Sequence, residues 1–290
     1  MMKAHGWIVY NDEDYTANHA FADHMIQEAE KRGFGLEAAL TSHLLPEMKN
    51  GKSVCRLQGQ LCRPDFIISR QRDSFLSAHW ESMGIFVSNN AKVCRICNDK
   101  RRTHQFLQGI PMLETSFPPA SYSLAPAPEG FPLVLKPANS HGGDRVFLVK
   151  NSAEWQLAAG QILPDPMVQQ ETAADLGKDL RIYVVFGKIV AAVMRTAQTG
   201  FVSNFKLGGL AALHSLTYKE SALAKEIIAR FAAAGAPLDF AGIDFLYHHG
   251  EPVCSEVEDV VGSRMLYQAS DLDIAALYWD QLAHEMAARF

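Results

Sequence analysis

Three carboxylates late in the chain are the residues best placed to do chemistry, because acids seldom interrupt apolar strands. In Ala241-Gly242-Ile243-Asp244-Phe245-Leu246-Tyr247 a single acid breaks an apolar run. In Val253-Cys254-Ser255-Glu256-Val257-Glu258 two acids share a face by the two-residue period of a strand. A turn centred on Gly250 would fold the two runs into a hairpin with Asp244 opposite Glu256. Like charges directly across a sheet repel, so the trio calls for a compensating cation, and an all-oxygen donor set suits Mg²⁺ or Mn²⁺. The same pattern also fits an acidic edge strand turned to water.

A second group is cationic. Phe131-Pro132-Leu133-Val134-Leu135-Lys136 ends an apolar strand with one lysine, beside the small-residue loop Asn139-Ser140-His141-Gly142-Gly143. A lysine so placed can neutralise one phosphate while loop N–H groups cradle another; as a strand end it could equally be solvated. Neither a Walker A nor a G-x-G-x-x-G sequence is present, which sets aside P-loop and Rossmann sites. Arg181 and Arg195 fall on neighbouring strands and could grip carboxylate or phosphate oxygens bidentately; pairing with Asp179 or Glu171 is their structural alternative. Residues 201–209 add Asn204, Lys206 and two glycines. Lys100-Arg101-Arg102 reads as a solvated helix face.

The elements that must hold these groups fall into two patterns. Gly6 to Tyr10, Asp65 to Ser69 and Ile85 to Asn89 are short strands of the buried type, with helices at Thr16 to Arg32 and Phe75 to Met83 between them. That alternation predicts a small parallel sheet covered by helices. Ala91 to Gly109 is helical, and Phe117 to Pro128, with four prolines, marks a linker. Strands at Phe131 to Lys136, Arg145 to Val149, Met167 to Glu171, Asp179 to Phe186, Lys188 to Arg195, Phe240 to Tyr247 and Pro252 to Glu258 follow, with hairpin turns at Gly187-Lys188 and His248 to Glu251. Helices fit Ser152 to Gln161, Thr217 to Ala233 and Ser270 to Ala287. The expectation is an α/β domain over 1–90 and a largely antiparallel α+β domain over 91–290.

Composition bounds the function. With 48% hydrophobic and 20% charged residues in 290, the chain is globular and has a substantial core. A net charge of −5 supplies no field for nucleic acid. The longest apolar runs fall well short of the ~18 residues of a membrane span, and the first residues do not form a signal peptide. Five cysteines, an odd number, suggest reduced thiols in the cytoplasm. Cys94-Arg95-Ile96-Cys97 could join Cys55 and Cys62 in a zinc site, but six residues separate the latter two, and Cys94 and Cys97 fit one helix face better.

Taken in order, these pieces resemble the ATP-grasp superfamily and, within it, the RimK-like carboxylate–amine ligases. The likeness runs from about Ala91 to Leu282 and rests on Asn98-Asp99-Lys100 with Thr103, Leu107 and Gly109-Ile110-Pro111, then on FPLVLKP, Val168 to Glu171, Gly177 to Arg181, Met194-Arg195, FVSNFKLGG, AGIDFL and SEVE. The resemblance implies an ATP-grasp fold in which Lys100, Lys136 and the Ser140, Gly142 and Gly143 loop meet ATP phosphates, with Gln170 and Glu171 near the adenine. It further implies Mg²⁺ at Asp244, Glu256 and Glu258, and places Arg181, Arg195 and Asn204 at the γ-phosphate or acyl phosphate. The chain departs from the family pattern at Asn139, usually glycine, at Leu207, often basic, and at Glu258, usually asparagine. The last adds a third negative charge, which predicts a strained site without metal.

The implied reaction activates a small-molecule or peptide carboxylate as an acyl phosphate and joins it to an amine or amino acid, with ADP and phosphate released. A phosphotransferase on the same fold and a nucleotide-binding regulatory module without turnover are the alternatives. No membrane or nucleic-acid partner is expected, and a homo-oligomer is compatible with the sequence.

Overall fold

The computed structural model describes residues 4–197 and 210–288. The first part alternates as expected: β1 (His5–Tyr10), α1 (Asp12–Lys31), β2 (Gly35–Leu40), β3 (Leu44–Lys49), β4 (Lys52–Leu57), β5 (Gln60–Cys62), β6 (Phe66–Ser69), α2 (Ser74–Ser82) and β7 (Phe86–Ser88). Strands β2-β1-β6-β7 form a parallel sheet in that order. Asn11 starts α1 by accepting from the Asp14 N–H at 2.7 Å, and three acids fill its first turn, where the helix dipole favours them. The antiparallel sheet β3-β4-β5 is an addition to the sequence reading. Its two turns, Asn50-Gly51 and Gln58-Gly59, each have positive φ at both residues, the type I′ geometry that closes two-residue hairpins. This sheet covers one face of the parallel sheet together with α2, and Cys55 and Trp80 are buried between them.

Next come α3 (Ala91–Cys97), α4 (Lys100–Phe106), β8 (Thr115–Ser116), β9 (Leu133–Pro137), β10 (Phe147–Val149), α5 (Ser152–Ile162) and β11 (Met167–Glu171). The expected single helix over 91–109 is two, because the Asp99 side chain turns to cap α4, accepting from the Arg101 N–H at 3.0 Å. The strand expected from Arg145 begins only at Phe147, since Arg145 has φ +49°, outside the extended region. Strands β10-β9-β11-β8 form an antiparallel sheet packed on α5.

The remainder is β12 (Lys178–Val185), β13 (Lys188–Thr196), β14 (Leu210–Leu213), α6 (Tyr218–Ala233), β15 (Phe240–His248), β16 (Glu251–Glu258), α7 (Arg264–Ala269) and α8 (Ile274–Ala287). Strands β14-β13-β12-β15-β16 make a five-stranded antiparallel sheet. Its hairpin turns are Phe186-Gly187 and His249-Gly250, one residue earlier in the first case than expected. The helix expected from Ser270 is replaced by α7 and α8, with Ser270 extended between them and Asp273 capping α8. One face of this sheet packs on α6 through Ile182, Ile243 and Ile227. The other shares a core with the parallel sheet, in which Tyr183 and Phe240 meet Ile8, Met25, Tyr278 and Trp279. Asn89 stitches the sheets together: its side chain donates to the Phe240 and Asp259 carbonyls at 2.8 and 2.9 Å and accepts from the Asp239 and Phe240 N–H groups at 2.8 and 3.0 Å.

Candidate active site

Between the four-stranded antiparallel sheet and the five-stranded one lies a cleft enclosing about 160 Å³. Leu113, Val134, Val146, Ala173 and Leu246 give it apolar walls suited to a flat ring, and the predicted polar residues other than Arg181, which lines the adjoining cavity, and Asn204, which is outside the described residues, complete the lining. Lys136, near the end of β9, is 8% exposed, and its Nζ donates to Gln170 Oε1 of β11 at 3.0 Å. Burial, with the neighbouring Lys100 charge, pulls its pKa down to about 8, against the opposing influence of Glu256. Lys100 is itself buried, contrary to the solvated face expected of Lys100-Arg101-Arg102, of which only Arg102 is exposed. It starts α4, and its Nζ reaches the Ser140 carbonyl at 2.5 Å and Glu256 Oε1 at 3.2 Å. Ser140, Gly142 and Gly143 line the cleft, with positive φ at both glycines. Glu171, beside Gln170, accepts from the Glu114 N–H at 2.8 Å.

The acids stand on the floor. Asp244 pairs with Glu256 across β15 and β16, as expected, though not by the expected route. The turn at His249-Gly250 alone would set Asp244 against Ser255; a bulge at that point restores the pairing with Glu256. The expected metal-free strain is relieved by arginine. Arg181, directly across from Asp244 on β12, donates from Nε and Nη2 to its carboxylate at 2.8 and 2.6 Å and reaches Glu258 at 2.7 Å. Arg195 donates to Asp244 at 2.8 Å and also to Asp179, so the pairing alternative is realised alongside a place in the cleft. Burial would raise the Asp244 carboxyl, but the two guanidinium charges outweigh it and hold it well below the usual range. Glu258 goes the other way: burial and the charges of Asp244 and Glu256 push it up despite Arg181. Gly242 makes room for the network, since a Cβ there would lie 2.7 Å from Val261 Cγ2 and 3.6 Å from Arg181 Nε. Asn204, Lys206 and Leu207 fall outside the described residues.

A larger cavity of about 830 Å³ adjoins the cleft, reaching from the parallel sheet to the arginines. Ser140, His141, Gly142, Arg195, Glu256 and Glu258 line both, so the two spaces meet at the acids and the glycine loop. His104 is held near pKa 4 by burial, Lys136 and Lys100, so its ring stays neutral; His141 is exposed on the glycine loop, and its pKa is lowered by partial desolvation and by the charges of Arg72 and Lys100. Asp259 accepts from Asn98 Nδ2 at 2.9 and 3.0 Å and is pushed up to about 6 by burial. Sequence reasoning missed His141, Asp259 and Arg70 on this side, although Asp259 directly follows SEVE and Arg70 directly follows β6. Cys55 and Cys62 pair across β4 and β5 in the core beside the parallel sheet, whereas Cys97, three residues after Cys94 on α3, lies in the core under the five-stranded sheet, which separates the two pairs considered for zinc.

A buried floor of alternating acids and arginines, facing two lysines and a glycine loop, can neutralise a polyphosphate and place a second reactant at its end. Comparison with known proteins agrees. The probable alpha-L-glutamate ligase of Shewanella loihica is 30% identical over 277 residues, covering 90% of this chain and 90% of that protein. By fold, the D-alanine–D-alanine ligase of Bacillus anthracis solved with ATP aligns over 99% of this chain and 98% of its own at TM-score 0.74 and 16% identity. The ATP-grasp ligase PsnB, solved with a precursor variant, Mg and ADP, aligns over 99% and 100% at TM-score 0.71 and 14% identity. The RimK-like ATP-grasp domain matches residues 98–282, and the chain therefore belongs to the RimK-like ATP-grasp family.

Proposed function

We propose that the protein is an ATP-dependent carboxylate–amine ligase whose amine substrate is an amino acid of the glutamate class, the class named for its relatives. The observation that carries this reading is the junction of the two cavities at Arg195, Glu256 and Glu258, where a nucleotide in one would meet an acceptor in the other. Lys100 and Lys136 would bind phosphate oxygens, Gln170 and Glu171 would lie along the adenine, and Arg181 and Arg195 would steady the charge that builds as the γ-phosphoryl group passes to a carboxylate oxygen. ADP leaves, the amine nitrogen replaces phosphate on the acyl carbon, and an amide forms. Arg195 Nε is buried and without a hydrogen-bond partner among the described residues.

The oxygen-only chemistry of Asp244, Glu256 and Glu258 suits Mg²⁺, but in this arrangement their ligand oxygens do not all lie within 4.8 Å of one another, so the carboxylates would have to draw together around an ion. Bound there, the ion supplies charge that neutralises phosphate oxygens. Arg181, Arg195 and Lys100 already occupy those carboxylates, so the ion competes with them for the same oxygens. All five cysteines are free thiols and no helix among the described residues is long and apolar enough to cross a membrane, which supports a cytoplasmic setting.

The test is an ATP-consumption assay with candidate carboxylates, L-glutamate as the amine and hydroxylamine as a trap. Phosphate release that needs both carboxylate and amine, with an acyl hydroxamate when hydroxylamine replaces the amine, is the expected result. A stable phosphorylated product made without any amine refutes the reading.

A further inference from the structure

Away from both cavities, a cluster of metal-ligating side chains joins α1 to α8. His24 and Glu28 stand four residues apart on α1 and so share a face of that helix, and Asp273 opens α8 beside them. His24 Nε2 lies 3.0 and 2.9 Å from the two carboxylate oxygens of Asp273. Among the described residues, these are the three potential metal ligands whose donor atoms all lie within 4.8 Å of one another. Glu28 is 3% exposed, whereas His24 and Asp273 are half-buried, so an ion could reach the cluster from water on their side. None of the three lines the cleft or the larger cavity.

The carboxylates are held in place from outside the cluster. Asp273 Oδ1 accepts from the Ala275 and Ala276 N–H groups at 3.0 and 3.1 Å and from the Tyr267 hydroxyl at 3.3 Å, which leaves Oδ2 to His24 among the described residues. Lys31 and Arg32 each bond to a different oxygen of Glu28. A carboxylate oxygen has two acceptor sites, so each keeps room for an ion. Arg32 also has Asp280 and the Ala276 carbonyl as partners, and Lys31 extends to water. With Asp280, three acids face these two cations, so an added dication meets a net negative charge. Hydrogen bonds that orient ligating carboxylates in this way accompany protein metal sites generally.

One imidazole nitrogen and two carboxylate oxygens suit Zn²⁺, whereas Mg²⁺ prefers oxygen alone. Zinc takes such ligands at about 2.0–2.2 Å in a tetrahedron, which sets the ligand atoms about 3.3 Å apart. From the positions seen, His24 Nε2 and Asp273 Oδ2 need to part by only about 0.4 Å, and Glu28 to approach by at most about 1.5 Å. We propose that His24, Glu28 and Asp273 bind one Zn²⁺, with water completing the tetrahedron from the exposed side, and that the ion clamps α1 to the start of α8.

Calorimetric titration of the full chain with ZnCl2, in excess Mg²⁺ to compete at the acid floor of the cleft, tests the proposal. One Zn²⁺ per chain should bind and raise the melting temperature, and X-ray absorption of the zinc-loaded protein should show imidazole and oxygen ligands without sulfur. In His24→Gln, and in Asp273→Asn, which preserves the helix cap, zinc affinity should fall at least tenfold and the zinc-induced rise in melting temperature should vanish, with Mg²⁺-ATP affinity unchanged. If one variant does not fold the other carries the test, and if neither folds the absorption spectrum of the wild type decides. No zinc binding by the wild type, sulfur among the ligands, a spectrum without imidazole, or undiminished binding in a folded variant would overturn the proposal.

Discussion

Replacing Lys136 with methionine should stabilise the protein and weaken nucleotide binding at once. Lys136 is 8% exposed, and burial and Lys100 lower its pKa from 10.5 to about 8. That fall corresponds to about 3 kcal/mol of unfavourable free energy for keeping the group charged at neutral pH. Because the folded value lies below the unfolded one, the destabilisation is complete below pH 8 and fades as pH rises from about 8 to 10.5. Methionine fills similar space without charge, at the loss of the Gln170 hydrogen bond, which contributes about 1 kcal/mol. The net expectation at pH 7 is a gain of roughly 2 kcal/mol, or about 4 °C in melting temperature. Nucleotide affinity should move the other way, by the 1.5–3 kcal/mol of a charge-assisted hydrogen bond, roughly 10- to 150-fold in Kd. Anion binding favours the charged lysine, so wild-type affinity should weaken as pH rises above about 8, and the variant should lack this dependence. Thermal melts and nucleotide titrations at pH 7 and 9 give all four quantities. A folded Lys136→Met with unchanged nucleotide affinity and an unchanged or lower melting temperature would refute both the cost of burial and the phosphate assignment.

Arg181→Leu leaves Asp244 and Glu258 without the cation that joins them, and should lower stability by about 3–5 kcal/mol; Mg²⁺ should restore more of its melting temperature than it adds to the wild type. His104 is held near pKa 4, below its unfolded value of 6.5, so the stability it allows is present above pH 6.5 and is lost as pH falls toward 4. Urea midpoints at pH 7.5 and 5 should therefore show His104→Gln losing on the order of 2 kcal/mol less than the wild type. Gly242→Ala puts a Cβ 2.7 Å from Val261 Cγ2, and should cost about 1–3 kcal/mol by overpacking while reducing ligase turnover through displacement of Arg181, read from a melt and from phosphate release.

The pieces that could be read from sequence are those whose periodicity is local. The parallel sheet and its helices followed from short apolar runs separated by capped helices, and Asp244, Glu256 and Glu258 stood out because an apolar strand rarely carries acids on one face unless a cation meets them. The pairing of Asp244 with Glu256 holds only because the bulge at Ser255 offsets a turn placed half a residue away, a compensation no pattern encodes. The three-stranded β3-β4-β5 sheet was missed because exposed Leu45, Met48 and Leu61 blur its alternation, although Asn50-Gly51 marked one of its turns. The arginine compensation of the acids depends on the register of β12 against β15, strands some sixty residues apart, and so is a tertiary fact. Arg70 gave no local signal, since only its packing beside the stacked Phe21 and Phe240 rings distinguishes it from any arginine after a strand.

The position of α8 bears on how the chain reaches this state. Trp279 packs edge-on against Phe66 and tilted against Phe34, and Arg32 at the end of α1 bonds to Asp280 and to the Ala276 carbonyl. The first sheet made on the ribosome therefore waits for residues synthesised some two hundred positions later before its α1 face is covered. Contacts of such sequence separation slow folding and leave apolar surface bare in the interval. Phe34, Phe66 and Met25 are the groups that would be open during synthesis, and they mark where a nascent-chain chaperone has most to shield.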